Sequence, residues 1–352
     1  MLSLRPDLED VEPYVSPQLH GVLRMNTNES PYGPPQSVVD ALTRTLREMS
    51  LNRYPDRDAN ALAGALAARW EWPRDGVWIA NGSNEVFMHL FLAFGGPGRS
   101  VLTFEPTYGL HSLIPRIALT EVVHGERDDR FEVDADAAVA RVEAGRPDAV
   151  VVCSPNNPTG GCTPRSVVER LLGAAGLVVV DEAYAEFAAP DASVVPLLRH
   201  NENLVVVRTF SKAWSLAGVR LGYLLAAPKL VRKMAVVRLP YHLSTLSQAV
   251  GVAALEAEDE TLANVRRIVA ERDRLAQELA SMGLAVVPSQ ANFLLFRHDA
   301  LNGAMLRDAL LAEGVLVRAY PQTAALTAWA RVTVGSPHDG DRFLDALRTV
   351  LR

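Results

Sequence analysis

Three short runs of apolar, mostly β-branched residues are the feature that most constrains how this chain can fold. The runs are AVVVC at residues 149–153, LVVV at residues 177–180 and LVVV at residues 204–207. Strands that are apolar on both faces are typical of parallel sheets covered by helices on each side. Each interval between the runs exceeds the dozen or so residues that a helical crossover needs. The sequence therefore predicts an α/β fold built on a mostly parallel sheet.

Further strand and helix patterns surround these runs. Strands are predicted at residues 77–80, 100–104 and 120–123, and helices at residues 59–69 and 85–94. After about Tyr241 the pattern changes to two long helices, at residues 245–256 and 260–281, followed by short strands and helices. This change predicts a large domain of residues 45–240 and a smaller α+β domain formed by residues 1–44 and 241–352.

Composition excludes several classes of partner. The 352 residues carry a formal charge of −6, which gives no support for a nucleic-acid groove. Two cysteines make no disulfide framework, so a reduced, cytoplasmic setting is expected. No apolar run reaches the ~18 residues of a membrane helix, and the histidines show no metal-ligand spacing. We therefore expect small-molecule ligands and no nucleic acid, membrane or metal.

A polar residue follows each of the three apolar runs. Asn157 follows the first, Asp181 the second and Lys212 the third. Because parallel strands end at the same edge of a sheet, we expect the three side chains to meet at its carboxyl edge. Ligands of open α/β sheets bind at that edge. The order of these residues therefore predicts a binding site.

The surroundings of Lys212 suit a phosphorylated aldehyde. The hydroxyls of Thr209 and Ser211 precede it, and Arg220 follows it. The amine would form a Schiff base, while the hydroxyls and the guanidinium would bind the phosphate. Pyridoxal 5′-phosphate is the cofactor that this pattern indicates.

The remaining polar residues suit the other groups of that cofactor. An ionised Asp181 against the pyridine nitrogen would keep the nitrogen protonated and make the ring an electron sink. Tyr184 and Asn157 can hydrogen-bond to the phenolic oxygen, and Tyr108 could stack on the ring face. Residues 81–84 (NGSN) lie between a predicted strand and helix, where backbone N–H groups would add to the phosphate site.

Each of these residues, taken singly, has an ordinary explanation. A lysine after a strand is usually a surface residue, and an aspartate there is most often a helix N-cap. The segment around Asn157 is more often a turn, because proline and glycine punctuate chains. The prediction therefore depends on their order, each after an apolar run.

A series of short motifs extends over nearly the whole chain. They are NTNESPYGP at residues 26–34, RYPD at 53–56, GSNE at 82–85, EPTY at 105–108, SPNNPTG at 154–160, DEAY at 181–184, SK at 211–212, LPYHLS at 239–244, ANF at 291–293, VR at 317–318 and RVTVG at 331–335. In this order they resemble the fold-type I pyridoxal-phosphate aminotransferases, most closely the class-II-like histidinol-phosphate aminotransferase branch. The lysine and asparagine motifs are specific for the superfamily. The N-terminal motif and the two late arginines indicate the branch.

The resemblance implies a fold and a set of residue roles. The fold would be aspartate-aminotransferase-like, with a seven-stranded, mostly parallel sheet in the large, cofactor-binding domain and an N-terminal segment that covers the substrate. Lys212 would be the Schiff-base lysine and the proton shuttle. The cofactor contacts implied are those of Ser83, Asn84, Tyr108, Asn157, Asp181, Tyr184, Thr209, Ser211 and Arg220.

The resemblance also implies a partner subunit and a substrate site. Tyr54 would reach the cofactor phosphate of the neighbouring subunit, so the enzyme would be a homodimer with composite sites. Arg331 and Arg318 would face the substrate, with Tyr14 and Asn28 nearby. A guanidinium suits either a phosphate or a carboxylate.

The implied reaction is transamination of L-histidinol phosphate with 2-oxoglutarate, giving imidazole acetol phosphate and L-glutamate in histidine biosynthesis. Alternatives are an aromatic aminotransferase acting on phenylalanine or tyrosine, a phosphothreonine decarboxylase and a non-catalytic regulator of the same fold. The chain departs from the branch at four positions: Ser30 replaces a frequent asparagine, Asn84 and Gln290 stand where aspartate is common, and Ala319 follows Arg318 where an acidic residue is usual.

Overall fold

The computed structural model of the chain describes residues 3–9, 11 and 17–352, so Tyr14 lies outside the described residues. The helices are α1 (Gln36–Glu48), α2 (Asn60–Trp70), α3 (Ser83–Phe94), α4 (Leu110–Ile117), α5 (Ala135–Gly145), α6 (Arg165–Ala174), α7 (Pro228–Met234), α8 (Thr245–Glu256), α9 (Glu258–Ser281), α10 (Gly303–Ala312) and α11 (Pro337–Val350). The strands are β1 (Leu23–Arg24), β2 (Val77–Ala80), β3 (Ser100–Glu105), β4 (Glu121–Glu126), β5 (Ala149–Cys153), β6 (Val178–Asp181), β7 (Leu204–Thr209), β8 (Gly222–Ala226), β9 (Ala285–Val286), β10 (Phe293–Arg297), β11 (Val315–Leu316), β12 (Arg318–Ala319) and β13 (Trp329–Thr333).

A seven-stranded sheet forms the centre of the molecule. Its strand order is β2-β8-β7-β6-β5-β3-β4, and β8 runs in the direction opposite to the other six strands. The three apolar runs form the adjacent parallel strands β5, β6 and β7, in register from Val150 through Val178 to Leu204. The predicted α/β fold with a mostly parallel, seven-stranded sheet is therefore confirmed.

Alternation of side chains along the strands gives the sheet two apolar faces. Val178 and Val180 pack with residues of α5 and α6 on one face, whereas Val179 packs with residues of α3 and α4 on the other. Both faces are therefore buried, which explains why the strands are continuously apolar in the sequence.

A second, smaller sheet follows in the C-terminal part of the chain. It is antiparallel, in the order β12-β13-β10-β9, and packs with α9, α10 and α11. Helix α11 begins with a capping box between Ser336 and Asp339, and Gly283, just past the end of α9, has a φ of +84°. Near the N-terminus, β1 pairs in parallel with β11, so the N-terminal segment packs with the C-terminal part of the chain.

Most of the helices and strands follow the predicted pattern to within a few residues. No bounds were predicted for α4, α5, α6 and α7, which lie between strands. The structure also adds α1, which begins directly after the proline-rich loop, and β8, which returns antiparallel between β2 and β7. None of the described helices combines the length and the apolar character that crossing a bilayer requires.

Candidate active site

Most of the predicted site residues meet in one pocket at the carboxyl edge of the large sheet. The pocket is lined by Thr27, Asn28, Ser83, Asn84, Tyr108, Cys153, Asn157, Asp181, Ala183, Tyr184, Thr209, Ser211, Lys212, Arg220 and Arg331. Strands β5, β6 and β7 deliver Asn157, Asp181 and Lys212 to it, as expected from strands that end at the same edge.

A larger groove of about 980 Å³ lies at the opposite edge, where the same strands begin. Its charged lining includes exposed side chains such as Lys229, Lys233 and Glu202. The smaller pocket is the better candidate, because it brings together buried polar groups with altered acidity.

Lys212 has its amine held inside this pocket. Its Nζ donates a hydrogen bond to the carbonyl oxygen of Thr27 at 3.0 Å. Burial, and then the nearby guanidiniums of Arg331 and Arg220, lower the pKa of Lys212 to about 8. A larger fraction of this amine than of an ordinary lysine is therefore neutral, and nucleophilic, near neutral pH.

Tyr184 is a buried hydrogen-bonding group at the centre of the pocket. Its hydroxyl oxygen accepts from Asn28 Nδ2 at 3.0 Å and from Asn157 Nδ2 at 3.3 Å. Burial raises the pKa of Tyr184 above its ordinary value, so the phenol keeps its proton. With two donors on its oxygen, Tyr184 has its own hydrogen available to donate into the pocket.

Asp181 is held by a histidine that the sequence reasoning missed. The Nε2 atom of His111 lies 2.8 Å from Asp181 Oδ2, and the amide of Ala183 donates to Asp181 Oδ1 at 3.1 Å. Both side chains are almost fully buried, at 1% exposed for His111 and 4% for Asp181. His111 lies three residues after Tyr108, in the first turn of α4, and that proximity to a predicted site residue is the signal that could have indicated it.

His111, Asp181 and Cys153 together place three potential metal-binding atoms within 4.8 Å of one another. Burial raises the pKa of the Cys153 thiol, which disfavours the thiolate that a metal would require. The trio is better explained as packing and hydrogen bonding around Asp181.

The N-terminus of α3 and Arg220 form an anion site. Gly82, the N-cap of α3, provides no side-chain cap, so the first N–H groups of the helix point into the pocket without a side-chain partner. The guanidinium of Arg220 donates to Ser211 Oγ at 3.3 Å. Gly82 has a φ of +86°, a conformation that favours glycine, and a Cβ there would lie 2.7 Å from Arg220 Nη2 and displace that guanidinium.

Arg331 is a buried cation in β13, a strand of the smaller sheet. It is 6% exposed, and it donates to Asn157 Oδ1 at 2.5 Å and to the carbonyl oxygen of Asn26 at 2.7 Å. No carboxylate among the described residues pairs with it, and its buried Nε has no partner there. A buried, unpaired guanidinium is costly unless an anion is supplied.

Two further predicted residues line the pocket with specific contacts of their own. The Thr209 hydroxyl donates to the carbonyl oxygen of Leu221 at 3.4 Å and accepts from the amide of Ser211 at 3.1 Å, so it orders the turn before Lys212. The ring of Tyr108 stands edge-on to His111, with centroids 5.4 Å apart.

The structure does not bring Tyr54 and Arg318 into this pocket. Tyr54 is 81% exposed and stacks on Tyr241, with ring centroids 4.5 Å apart. Arg318 lies in β12 opposite Arg331 of β13, and both guanidiniums are 6.0 Å from the Tyr320 ring. Arg318 therefore lies beside Arg331 but does not line the pocket.

Comparison with known proteins decides the family. The model of the family described as aminotransferase class I and II matches residues 20–347. The chain belongs to this family. Class I and II aminotransferases depend on pyridoxal phosphate, in agreement with the cofactor predicted from the sequence, and the chain is therefore an aminotransferase.

Relatives of this aminotransferase cover almost its full length. The histidinol-phosphate aminotransferase of Thermobifida fusca (strain YX) is 48% identical over 354 residues, covering 99% of this chain and 95% of the relative. Among solved structures, the histidinol-phosphate aminotransferase of Sinorhizobium meliloti, in complex with pyridoxal-5′-phosphate, is 26% identical with a TM-score of 0.89, covering 99% of this chain and 97% of that one. A variant of the Thermus thermophilus aspartate aminotransferase, 23% identical with a TM-score of 0.86 and covering 99% and 100% of the two chains, shares the fold. The predicted aspartate-aminotransferase-like fold is thus confirmed.

Proposed function

We propose that this aminotransferase converts L-histidinol phosphate and 2-oxoglutarate into imidazole acetol phosphate and L-glutamate, a step of histidine biosynthesis. The observation that carries the proposal is the near-complete alignment, at 48% identity, with a histidinol-phosphate aminotransferase. Charge in the pocket supports it. Arg331 is a buried guanidinium that needs an anion, and either the phosphate of one substrate or a carboxylate of the other can supply it.

The pocket fits pyridoxal phosphate group by group. The α3 N-terminus, Ser211 and Arg220 would hold the phosphate, and the close approach of Gly82 to Arg220 leaves this cradle free of side-chain bulk. Asp181, fixed by His111, would face the pyridine nitrogen. Tyr184 and Asn157 would hold the phenolic oxygen, using the hydrogen that Tyr184 has available.

Pyridoxal phosphate, when bound, supplies an electron sink for the charge that develops at the substrate Cα. The chain's own residues do the rest. Lys212, whose pKa is lowered to about 8, can take a proton from the substrate Cα and return it. Asp181 provides a fixed negative charge for the ring nitrogen, and Arg331 binds the anionic end of the substrate and so sets its orientation.

The direct test of the chemistry is Lys212→Ala, with Lys229→Ala as the matched control on the exposed surface. Glutamate formed from L-histidinol phosphate and 2-oxoglutarate would be measured, together with the mass of the peptide carrying residue 212 after borohydride treatment of the loaded protein. Wild type and Lys229→Ala should form glutamate and carry the cofactor mass on Lys212. Turnover retained by Lys212→Ala would contradict the assignment.

A homodimer is part of the proposal and is supported by an exposed apolar surface. We define the Tyr54 surface as Leu51, Tyr54, Val236, Leu239 and Tyr241. Leu51 and Tyr54 are each 81% exposed, Val236 84% and Leu239 71%. The two loops that form this surface are held together by the Tyr54–Tyr241 stack and by the Arg238–Asp58 ion pair at 2.7 Å. Large exposed apolar surfaces mark interaction sites. If a second copy of the chain binds to this surface, Tyr54 of each copy would approach the pocket of the other copy.

The domain division and the cellular setting also stand as proposals. Residues 45–240 include the whole large sheet, whereas the small sheet and the β1–β11 pair lie within residues 1–44 and 241–352. The pairing of β1 with β11 supports assigning the N-terminal segment to the small domain. Free cysteines at positions 153 and 162 are compatible with a reduced, cytoplasmic setting.

A further inference from the structure

A buried ion cluster lies beneath the pocket and outside its lining. Arg208, on β7, contacts Glu182 through Nη2 and lies 3.2 Å from Glu186 Oε1 through Nη1. The side chains of Arg208 and Glu186 are each 4% exposed, and that of Glu182 is 1% exposed. The three charged side chains are therefore almost fully removed from water, and the position of each depends on the other two.

Other groups complete the hydrogen bonding of this Arg208 cluster. Ser193 Oγ lies 2.9 Å from Glu182 Oε2 and 3.0 Å from Arg208 Nη2, and the amide of Val194 donates to Glu182 Oε1 at 2.6 Å. The guanidinium also lies 4.6 Å from the centre of the Trp70 ring. Burial alone would lower the pKa of Arg208, but the two carboxylates outweigh it and hold that pKa above its ordinary value. Arg208 therefore stays charged.

One arm of the cluster ends beside Asp181. Glu182 follows Asp181 directly, and its amide continues the sheet by donating to Val207 at 2.9 Å. Because side chains alternate along a strand, Glu182 points to the sheet face opposite to Asp181. From the opposite face of the sheet, Arg208 thus fixes the end of β6, which carries Asp181.

The other arm ends beside Lys212. Glu186 accepts a hydrogen bond from the indole Nε1 of Trp214 at 3.3 Å. Trp214 is 1% exposed and lies two residues after Lys212, in the turn closed by the Ser215 amide on the Lys212 carbonyl at 3.3 Å. The position of the lysine turn is therefore coupled to the same guanidinium.

A buried ion pair by itself is weak evidence for any role, since apolar replacements are often as stable. Here, however, both carboxylates that Arg208 bridges lie in the segment that presents Asp181. Arg208 itself lies in the segment that presents Lys212, and so does Trp214, which donates to Glu186. The cluster therefore ties the placement of Asp181 to that of Lys212. A rate that depends on the relative placement of these two groups is sensitive to displacements on the order of 1 Å.

We infer that Arg208 is a positioning residue for the aminotransferase: it sets Asp181 through Glu182, and it sets Lys212 through Glu186 and Trp214. The expected effect on turnover rests on the proposed function. The expected effect on the amine of Lys212 in the cofactor-free protein does not.

The test uses two variants and a control that makes a matched substitution at the opposite edge of the sheet. Trp214→Phe keeps an aromatic ring and removes the indole N–H that Glu186 accepts, while Arg208→Lys keeps the charge and loses the fork that bridges two carboxylates. The control is Trp72→Phe, which removes the indole N–H that donates to the carbonyl oxygen of Ala226 at 2.9 Å. Ala226 pairs with Val205 near the start of β7, at the edge of the sheet opposite to the pocket.

The decisive readout is the pKa of Lys212 in the cofactor-free protein, obtained by competitive amine labelling across a pH series with mass spectrometry of the peptide. Trp214→Phe and Arg208→Lys should raise that pKa towards the ordinary lysine value of ~10.4, because a displaced turn admits water to the amine. In the loaded enzyme, kcat should fall by about tenfold or more with KM little changed. Trp72→Phe should leave both quantities at wild-type values even if Tm falls.

Wild-type values of the Lys212 pKa and of kcat in Trp214→Phe, with only Tm altered, would overturn the inference. The same result in a folded Arg208→Lys would also overturn it. If the wild-type protein fails to transaminate L-histidinol phosphate, the proposed substrate is wrong. The labelling experiment still decides the role of Arg208 in that case.

Discussion

Lys212 illustrates at the scale of one residue how the pocket creates reactivity. An ordinary lysine, with a pKa of ~10.4, is neutral to less than ~0.1% at pH 7. With a pKa of about 8, about a tenth of the Lys212 amines would be neutral. The gain comes from burial first and from Arg331 and Arg220 second.

Replacing Arg331 by glutamine should therefore have two effects. The substrate anion loses its buried partner, so kcat/KM should fall by ~100-fold or more, about 2.7 kcal/mol. The pKa of Lys212 should also rise, because a cation that lowers it is removed. Steady-state kinetics and competitive amine labelling measure the two effects.

The control is Arg297→Gln, which removes an exposed guanidinium from the adjacent strand β10. It should leave both quantities unchanged. Wild-type kcat/KM in Arg331→Gln would show that this arginine does not bind the substrate.

The residues at strand ends could be predicted from the topology of the sheet. Others that line the pocket, such as Asn28 and Arg331, were predicted only through the family resemblance, and His111 and Thr27 were missed. Asn157, Asp181 and Lys212 each follow an apolar run, so the topology alone brings them together. His111 sits on a helix and Thr27 contributes only a backbone carbonyl. Their contacts depend on how α4 and the N-terminal loop pack, which no local pattern encodes.

At the scale of elements, the start of α3 is where local structure and function meet. Gly82 has φ +86° and ψ 166°, a conformation essentially restricted to glycine. Gly82→Ala should strain the backbone by ~1–3 kcal/mol and press a Cβ against Arg220. We expect the Kd for pyridoxal phosphate, measured by equilibrium dialysis, to rise at least about tenfold.

Gly64→Ala is the matched control for that variant. Gly64 lies within α2, where an added Cβ meets nothing within 4 Å. Alanine there should stabilise the helix by up to ~1 kcal/mol without affecting cofactor affinity. Equal cofactor affinities in the two variants would contradict the phosphate role of the α3 N-terminus.

Element prediction succeeded where periodicity and composition agree and missed where they conflict. The buried strands β5, β6 and β7 and helix α8 were predictable from their apolar runs. Helix α1 follows the prolines of the N-terminal loop, whose turn signals dominated that region. Strand β8 pairs antiparallel at a position that depends on the path of the chain after Arg220.

At the scale of the whole molecule, the Tyr54 surface is the feature that the isolated chain leaves unexplained. Val236→Asp should prevent association, because it places a charge in the most exposed apolar side chain of that surface, 84% exposed. Sedimentation should show a dimer for the wild type and a monomer for the variant, with cofactor affinity reduced because the partner's tyrosine is lost.

Met305→Asp serves as its control, since Met305 is 49% exposed on α10, a helix that does not contribute to the Tyr54 surface. It should remain dimeric. A monomeric wild type with full activity would refute the composite site.

The measurement that tests the central claim most directly is a comparison of kcat/KM for L-histidinol phosphate and L-phenylalanine, each with 2-oxoglutarate and the cofactor-loaded wild-type protein. We predict a preference of ~100-fold or more for histidinol phosphate, about 2.7 kcal/mol of transition-state discrimination. A preference for phenylalanine would contradict the proposed substrate. It would move the enzyme to aromatic amino-acid metabolism and leave the fold, the family and the role of Lys212 intact.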